Sequence, residues 1–240
     1  MEHKEILEKV KKDNVKFISL QFTDVYGSVK SVDIPQSELQ QAMQQGVYFD
    51  GSSVEGFARI QESDMHLRID TDTYAVLPWS NPDLKRARFF CDIELPDGTP
   101  FIGDPRGALK RIMAKAQERG WTYKCGAEPE FFLYKRGDGD VRPVPHDVGG
   151  YFDFSANDDA VTVRTELMDA LQSMNLEVEM GHHEVALGQH EINFRFSNAL
   201  KAADQVLTLK YTVKAIAAKH GLIASFMPKP MFGENGSGMH

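Results

Sequence analysis

The sequence changes character at about Gly103, and this change limits the folds that the chain can adopt. Before it, short apolar runs separated by turn residues predict a small mixed sheet with one or two helices, including a strand over 17–22. After it, helical patterns alternate with strand-like segments, including one over 124–134. Such alternation predicts a layered domain of helices on a sheet. We therefore expect two domains, residues 1–102 and residues 103–240.

Composition and charge exclude several classes of protein. Hydrophobic residues make up 42% and charged residues 26% of the 240-residue chain, which is ordinary for a globular protein. No apolar run approaches the roughly 20 residues of a membrane helix. The net charge of -8 disfavours binding to nucleic acids or anionic membranes. Two cysteines, Cys91 and Cys125, argue for a reducing compartment, so we expect a cytoplasmic protein with no nucleic-acid or membrane partner.

Two glutamates lie two residues apart in the apolar segment 124–134. On a strand, Glu128 and Glu130 would share one face, beside the buried side chains expected of Phe131 and Phe132. Two carboxylates in an apolar setting need a shared proton, a basic neighbour or a metal ion. The alternative is an exposed edge strand with solvated acids, which Pro129 would favour because it cannot donate to a sheet.

A second acidic cluster follows in the segment 179–196. Glu184 and Glu191 flank Gly188, where a turn could bring them together in a hairpin. Four acids from two regions form a credible site for two divalent cations, and oxygen ligands favour Mg²⁺ or Mn²⁺. A competing zinc site would use the nearby histidines His182, His183 and His190. It is the weaker hypothesis, because no thiolate is near and adjacent histidines on a strand point to opposite faces.

Two Gly-rich stretches lack a regular pattern. The polar stretch 50–64 is predicted to be an irregular loop. The glycines of 232–240 fit neither a phosphate-binding P-loop, which needs Gly-Lys-Ser/Thr, nor a dinucleotide-binding fingerprint. Because the chain ends at His240 within this motif, without a closing helix or strand, we expect it to be part of a longer protein.

Four segments in this order resemble type I glutamine synthetase, over most of the chain and across that family's N-terminal half. They are 49–53 with 62–65, the pair Glu128 and Glu130, the block 182–184, and the block 235–240. The resemblance implies an α+β protein with a β-grasp-like N-terminal domain. An incomplete catalytic domain would follow, with a curved antiparallel sheet flanked by helices.

The resemblance also implies roles for individual residues. One metal ion would be held by Glu130, Glu184 and Glu191, and a second by Glu128, His240 and a ligand beyond this chain. Other residues would bind substrates: Glu179 the nucleotide, Phe196 its base, and Asn235 with Gly236 glutamate. Asp50 from a neighbouring subunit would deprotonate ammonium, with Ser53 nearby, and Arg59 would mediate feedback by glutamine.

The implied activity is the synthesis of glutamine from glutamate, ammonia and ATP through a γ-glutamyl phosphate. Two divalent cations, Mg²⁺ or Mn²⁺, would serve each site, and the complete protein would be a homo-oligomer of two stacked six-membered rings. The 240-residue chain alone is expected to be inactive, because the family's substrate-binding arginines lie beyond it. Two alternatives remain: a related γ-glutamyl-amine ligase, which Asp50 disfavours by crowding a larger amine, and a non-catalytic truncated paralogue with an assembly or regulatory role.

Overall fold

The computed structural model describes residues 1–57, 64–137, 144–154 and 159–240. The chain forms two units, Met1–Tyr123 and Lys124–His240, each built around its own sheet. Within the described ranges, no helix is both long enough and apolar enough to cross a membrane.

Within its described residues, the first unit contains three α-helices and six strands. In chain order they are α1 (His3–Lys12), β1 (Phe17–Thr23), β2 (Val29–Pro35), α2 (Leu39–Gln45), β3 (Val47–Asp50), β4 (Asp64–Ile69), β5 (Ala75–Val76), β6 (Arg86–Glu94) and α3 (Pro105–Glu118). The strand order is β2-β1-β6-β4-β3, with β5 beside β6. Only the pairing of β1 with β6 is parallel among the described pairs, so the sheet is mixed, as predicted.

The core of this unit forms where α1 meets the sheet. Ile6 and Val10 lie four residues apart on one face of α1, and both are fully buried. They join the same apolar cluster as Ile18 and Leu20 of β1 and Phe89 of β6. Burial of these side chains explains why a ten-residue helix too short to be stable alone persists here.

The stretch 50–64 was expected to be irregular, and this expectation is partly wrong. Asp50 ends β3, residues 51–53 form a short 3-10 turn, and Asp64 begins β4. Asp50 and Asp64 are opposite each other in the antiparallel pair. Pairing between positions distant in sequence organises these ends, and local polarity carries no sign of it.

The described part of the second unit contains two α-helices and seven strands. They are β7 (Lys124–Cys125), β8 (Glu130–Lys135), β9 (Val144–Pro145), α4 (Asp159–Ser173), β10 (Val178–His183), β11 (Gln189–Phe194), β12 (Ser197–Asn198), α5 (Ala199–Lys219) and β13 (Leu222–Ser225). The main sheet has the antiparallel order β10-β11-β8-β13, with β9 beside β8, while β7 pairs with β12. Helix α4 packs against β10, and α5 packs against β13 and α4.

The predicted strand over 124–134 is wrong in its extent, because it is two strands separated by an irregular segment. Around Pro129 the chain pairs instead with the C-terminal residues: the Glu128 amide donates to the His240 carbonyl (3.3 Å) and the Glu130 amide to the Gly238 carbonyl (3.2 Å). Proline cannot donate to a sheet, and the regular strand begins only after it. The main chain of 238–240 therefore lies beside the start of β8.

Candidate metal centre

Three buried glutamates lie on one face of the second sheet. Glu191 on β11 is directly opposite Glu130 on β8, and His182 on β10 is opposite Glu191. Glu184 lies two residues after His182, on the same face. The residues Glu130, Glu184 and Glu191 are each less than a tenth exposed. Strand alternation and antiparallel register thus bring together carboxylates from three neighbouring segments.

Two overlapping groups of candidate metal ligands share Glu191. The first is Glu130, Glu191 and His240, and the second is His182, Glu184 and Glu191. In each, the ligand atoms lie within 4.8 Å of one another. Like charges directly opposite on paired strands destabilise a sheet unless a cation or proton compensates them. Burial, together with the charges of Glu184 and Glu130, raises the pKa of Glu191 against the opposing effects of Asn193 and His182.

Glu184 and Glu130 are each oriented by neighbouring donors. His182 Nε2 lies 2.8 Å from Glu184 Oε1, and the Val185 amide donates to Glu184 Oε2 over 3.1 Å. Gln189 Nε2 donates to Glu130 Oε2 over 2.6 Å. The donor set is rich in carboxylate oxygen with imidazole at its edge, which fits Mg²⁺ or Mn²⁺.

The segment 236–240 brings His240 to this face. His240 Nδ1 lies 3.9 Å from Glu130 Oε1, and the imidazole is largely exposed. A Cβ on Gly238 would lie 3.1 Å from the same carboxylate oxygen, so a larger residue there would require the carboxylate or the segment to shift by a few tenths of an ångström. Glu128 is half-buried just before β8, and its carboxylate belongs to neither group of candidate ligands. The structure therefore brings together four of the five predicted metal ligands.

The predicted substrate-binding residues lie in several places. Glu179 is exposed at an irregularity in the pairing of β10, where its Oε1 accepts from Arg195 Nε at 3.4 Å. Phe196 is 60% exposed, with the Lys124 ammonium 5.4 Å from its ring centroid. Asn235 is exposed, and Gly236 approaches the Pro228 carbonyl so closely that a Cβ would lie 2.4 Å from that oxygen.

The remaining predicted residues belong to the first unit. Asp50 is exposed, and its Oδ1 accepts a 2.8 Å hydrogen bond from the Ser52 amide, so it caps the turn through 51–53. Ser53 is exposed in the same turn. Arg59 lies outside the described residues, as do Glu62 and Ser63 of the family signature.

The three histidines of the zinc hypothesis do not share one group. His183 and His190 are opposite each other on the other face of the β10–β11 hairpin, where they group with Asp147. Arg164 can only donate, so His190 Nδ1 accepts its 3.0 Å hydrogen bond, and the proton of a neutral His190 lies on Nε2. A protonated Nε2 offers no lone pair to a metal ion. The geometry is that of a hydrogen-bonded cluster.

Within this cluster, the pKa values of Asp147 and His183 are shifted in opposite directions. The Glu184 carbonyl lies 2.6 Å from His183 Nδ1, and Asp147 Oδ1 lies 3.0 Å from His183 Nε2. Burial favours neutral His183, but these hydrogen bonds outweigh it and raise the pKa of the imidazole. Burial is the largest influence on Asp147 and opposes its ionised form, but the hydrogen bond and charge of His183, together with the hydrogen bond from the Gly188 amide, outweigh it and lower the pKa of the carboxyl. Burial and the Arg164 charge lower the pKa of His190.

Two residues important to this geometry were not predicted as site residues. Gln189 lies on the same face of β11 as Glu191 and Asn193, so the alternation of polar residues carried a signal for it. Asp147 lies in an irregular segment without periodicity, and no local pattern marks its contact with β10.

Comparison with known proteins decides the family. Residues 14–96 match the model of the glutamine synthetase β-grasp domain, and residues 102–240 match that of the glutamine synthetase catalytic domain. The chain belongs to the glutamine synthetase family. The expected α+β fold, a β-grasp-like domain followed by a curved antiparallel sheet with helices, is thereby confirmed.

Similar proteins include curated glutamine synthetases and solved structures. The chain is 48% identical to the glutamine synthetase of Halobacterium salinarum and 49% identical to that of Clostridium saccharobutylicum. Each match covers 98% of this chain, but only 52% of the first relative and 54% of the second. The Plasmodium falciparum glutamine synthetase has a TM-score of 0.90 at 24% identity, covering 100% of this chain and 53% of that one. A GmaS/ADP complex has a TM-score of 0.82 at 27% identity, covering 98% and 55%. The chain thus spans about half the length of the curated relatives it matches.

Proposed function

We propose that this protein, at the full length of its relatives, is an ATP-dependent ligase that makes glutamine from glutamate and ammonia. The observation that carries the proposal is the convergence of Glu130, Glu184 and Glu191 on one buried face in a member of this family. Bound cations would compensate three carboxylates so placed, and they would also serve the proposed reaction, which transfers a charged phosphoryl group.

The proposed cofactors are two divalent cations, Mg²⁺ or Mn²⁺. Glu130, Glu184 and Glu191 would hold one, and Glu128 with His240 would contribute to the second. Bound cations would neutralise the charge on the ATP phosphates and align the γ-phosphoryl group with the attacking carboxylate of glutamate. The products of that transfer would be γ-glutamyl phosphate and ADP, and ammonia would then displace inorganic phosphate from the acyl carbon to give glutamine.

The other residues are proposed to bind and orient the substrates. Glu179 and Phe196 would contact ATP, and Asn235 with Gly236 would contact glutamate. Asp50 would take a proton from ammonium, with Ser53 beside it, a role in which a positioned base contributes roughly 100- to 10,000-fold. Feedback through Arg59, assembly as two stacked hexameric rings and a cytoplasmic location also remain proposals.

Glutamine formation by the protein at the length of its relatives tests this proposal. We expect turnover that requires glutamate, ammonia, ATP and Mg²⁺ or Mn²⁺ together. Turnover with ethylamine but not with ammonia would favour the related γ-glutamyl-amine ligase, and no turnover with either would favour the non-catalytic paralogue. For the 240-residue chain alone we expect negligible turnover, far below the ordinary range of about 1–1,000 per second.

A further inference from the structure

One buried amide side chain connects three parts of the candidate metal centre. Gln189, the first residue of β11, is 1% exposed. Its Oε1 accepts a hydrogen bond from the Ala186 amide at 3.1 Å. Its Nε2 donates to Glu130 Oε2 at 2.6 Å and to the Gly236 carbonyl at 3.0 Å. The side chain thus contacts the hairpin turn, a candidate metal ligand and the C-terminal segment.

These three contacts leave one orientation for the amide. The Ala186 amide can only donate and the Gly236 carbonyl can only accept, so Oε1 must face the former and Nε2 the latter. Both hydrogens of Nε2 are then used, one toward Glu130 and one toward Gly236. Rotating the amide by 180° would oppose two acceptors at Glu130 and two donors at Ala186.

Glu130 is consequently attached to the C-terminal segment at two points. Its amide donates to the Gly238 carbonyl, and its carboxylate shares the Nε2 group of Gln189 with the Gly236 carbonyl. The Ser237 amide between them donates to the Pro228 carbonyl at 2.8 Å. A change in the position of the Glu130 carboxylate therefore reaches Gly236 through a single side chain.

We propose that Gln189 is a positioning residue that couples metal binding at Glu130 to the conformation of residues 235–240. The proposal rests on the function above only in taking Glu130 as a metal ligand and Gly236 as part of the glutamate-binding loop. The donor from Gln189 fixes the Glu130 carboxylate for the ion. The ion in turn holds Glu130, and through Gln189 it holds the loop in place.

The experiment compares Gln189→Met with Gln205→Met in the same chain. Methionine has a similar length but cannot donate, and Gln205 is a buried glutamine of α5 that accepts from Ser197 Oγ at 3.1 Å. Mn²⁺ is titrated by electron paramagnetic resonance, and amide hydrogen exchange is measured for 228–240 with and without Mn²⁺. Neither readout requires turnover.

We expect Mn²⁺ to slow exchange in 235–240 of the wild-type chain. Gln189→Met should weaken Mn²⁺ binding about 10- to 100-fold, the usual cost of losing a residue that orients a metal ligand. At saturating Mn²⁺ it should also lose the protection of 235–240, while exchange in α4 and α5 stays normal. Gln205→Met should behave as wild type in both measurements.

Three outcomes separate the hypotheses. Wild-type affinity for Mn²⁺ with normal loop protection in Gln189→Met would overturn the positioning role. Failure of the wild-type chain to bind Mn²⁺ would overturn both the metal site and the coupling built upon it. If Gln189→Met does not fold, Gln189→Glu keeps the acceptor for Ala186 but cannot donate, and persistence of Mn²⁺-dependent protection in it would contradict the proposal.

Discussion

At the scale of single residues, the candidate centre brings three buried carboxylates together, and their charges repel one another unless a cation or a proton compensates them. Glu191 lies between Glu130 and Glu184 on neighbouring segments, and burial raises its pKa in the absence of an ion. The arrangement therefore carries an electrostatic cost when empty and gains stability when a dication binds. Removing one of the three charges should therefore change the stability of the metal-free protein and its affinity for the ion in opposite directions.

Glu191→Gln should weaken Mn²⁺ binding at least about 10-fold, since it removes the carboxylate common to both groups of ligands. In metal-free buffer at pH 7, the same variant should have a higher thermal midpoint than wild type, because a crowded charge is gone. Calorimetry with and without Mn²⁺ checks both effects.

The matched control is Glu166→Gln on α4. Glu166 pairs with Lys219 and His220, away from the candidate centre. The Glu166→Gln variant should have unchanged affinity for Mn²⁺ and should not have a higher thermal midpoint. A metal-free Glu191→Gln protein that is less stable than wild type would mean that the three carboxylates do not oppose one another.

At the scale of elements, the β10–β11 hairpin organises the centre, and Asp147 holds its turn from the opposite face. Asp147 Oδ1 accepts from the Gly188 amide at 2.9 Å as well as contacting His183. His183 in turn bonds to the main chain of Glu184, a candidate ligand. The cluster behind the sheet thus supports the carboxylates in front of it.

The Asp147–His183 pair predicts a pH dependence with a defined sign. Asp147 has a lowered pKa, so its contribution is present above about pH 4 and is lost as pH falls through its folded-state value. His183 has a raised pKa, so its contribution is complete below about pH 6.5 and is lost as pH rises through its folded-state value. Asp147→Asn should therefore cost most near pH 5.5, about 2 kcal/mol of unfolding free energy, and less at pH 9.

Urea unfolding at the two pH values measures this difference. Asp153→Asn is the control, because Asp153 accepts one hydrogen bond from the Gly150 amide in the same segment but contacts no histidine in the described structure. If Asp147→Asn lowers the free energy of unfolding equally at pH 5.5 and pH 9, then Asp147 and His183 do not form an ionised pair.

The turn of the hairpin depends on a glycine for two separable reasons. Gly188 has φ of +68°, and a Cβ there would lie 2.7 Å from the Leu133 carbonyl oxygen. Gly221, after α5, has φ of +69°, but a Cβ there would meet no atom of the described residues within 4 Å. Gly221→Ala should therefore lower the free energy of unfolding by about 1 kcal/mol through backbone strain alone. Gly188→Ala should lower it by about 2 kcal/mol more, because the added carbon also clashes with its neighbours.

Equilibrium unfolding in urea gives both free energies. Because the two glycines share nearly the same φ, the difference between the two free energies isolates the contacts that the added carbon makes at Gly188, of which the one with the Leu133 carbonyl is the tightest. Equal costs would mean that β8 shifts to accept the added carbon, and that the hairpin is held less tightly than the structure indicates.

The local sequence pattern was sufficient to predict some elements of the fold and insufficient to predict others. The β10–β11 hairpin was predicted from Glu184 and Glu191 flanking a turn at Gly188, and the start of α3 carries a local signal, because Asp104 caps the helix and Pro105 begins it. The interruption of 124–134, the pairing of β3 with β4, and the contact of Asp147 with His183 depend on partners distant in sequence. Such pairing leaves no periodic trace, which is why these features required the structure.

At the scale of the whole molecule, the proposed chemistry draws on both units. The candidate metal ligands belong to 124–240, whereas Asp50 belongs to 1–123. The carboxylate of Asp50 caps its own turn, accepting from the Ser52 amide at 2.8 Å. Two roles for Asp50 are therefore open to test: a base for ammonium, or a cap that holds 51–53.

Substitution of Asp50 separates these roles in the protein at the length of its relatives. Asparagine keeps an oxygen that can accept from Ser52 but cannot act as a base, whereas alanine loses both abilities. If Asp50 is the base, both variants should lose roughly 100- to 10,000-fold in turnover with ammonia. Phosphoryl transfer from ATP to glutamate should fall much less, because that step does not depend on the deprotonation of ammonium.

Steady-state kinetics with ammonia varied, together with thermal midpoints, decide between the two. If Asp50 is the base, Asp50→Asn should be as stable as wild type, since its turn is still capped, but should have little turnover with ammonia. If Asp50 only caps the turn, Asp50→Asn should have normal turnover, whereas Asp50→Ala should be less stable. Recovery by asparagine would remove Asp50 from the proton-transfer step, and the carboxylate that accepts the ammonium proton would then have to be sought elsewhere in the complete protein.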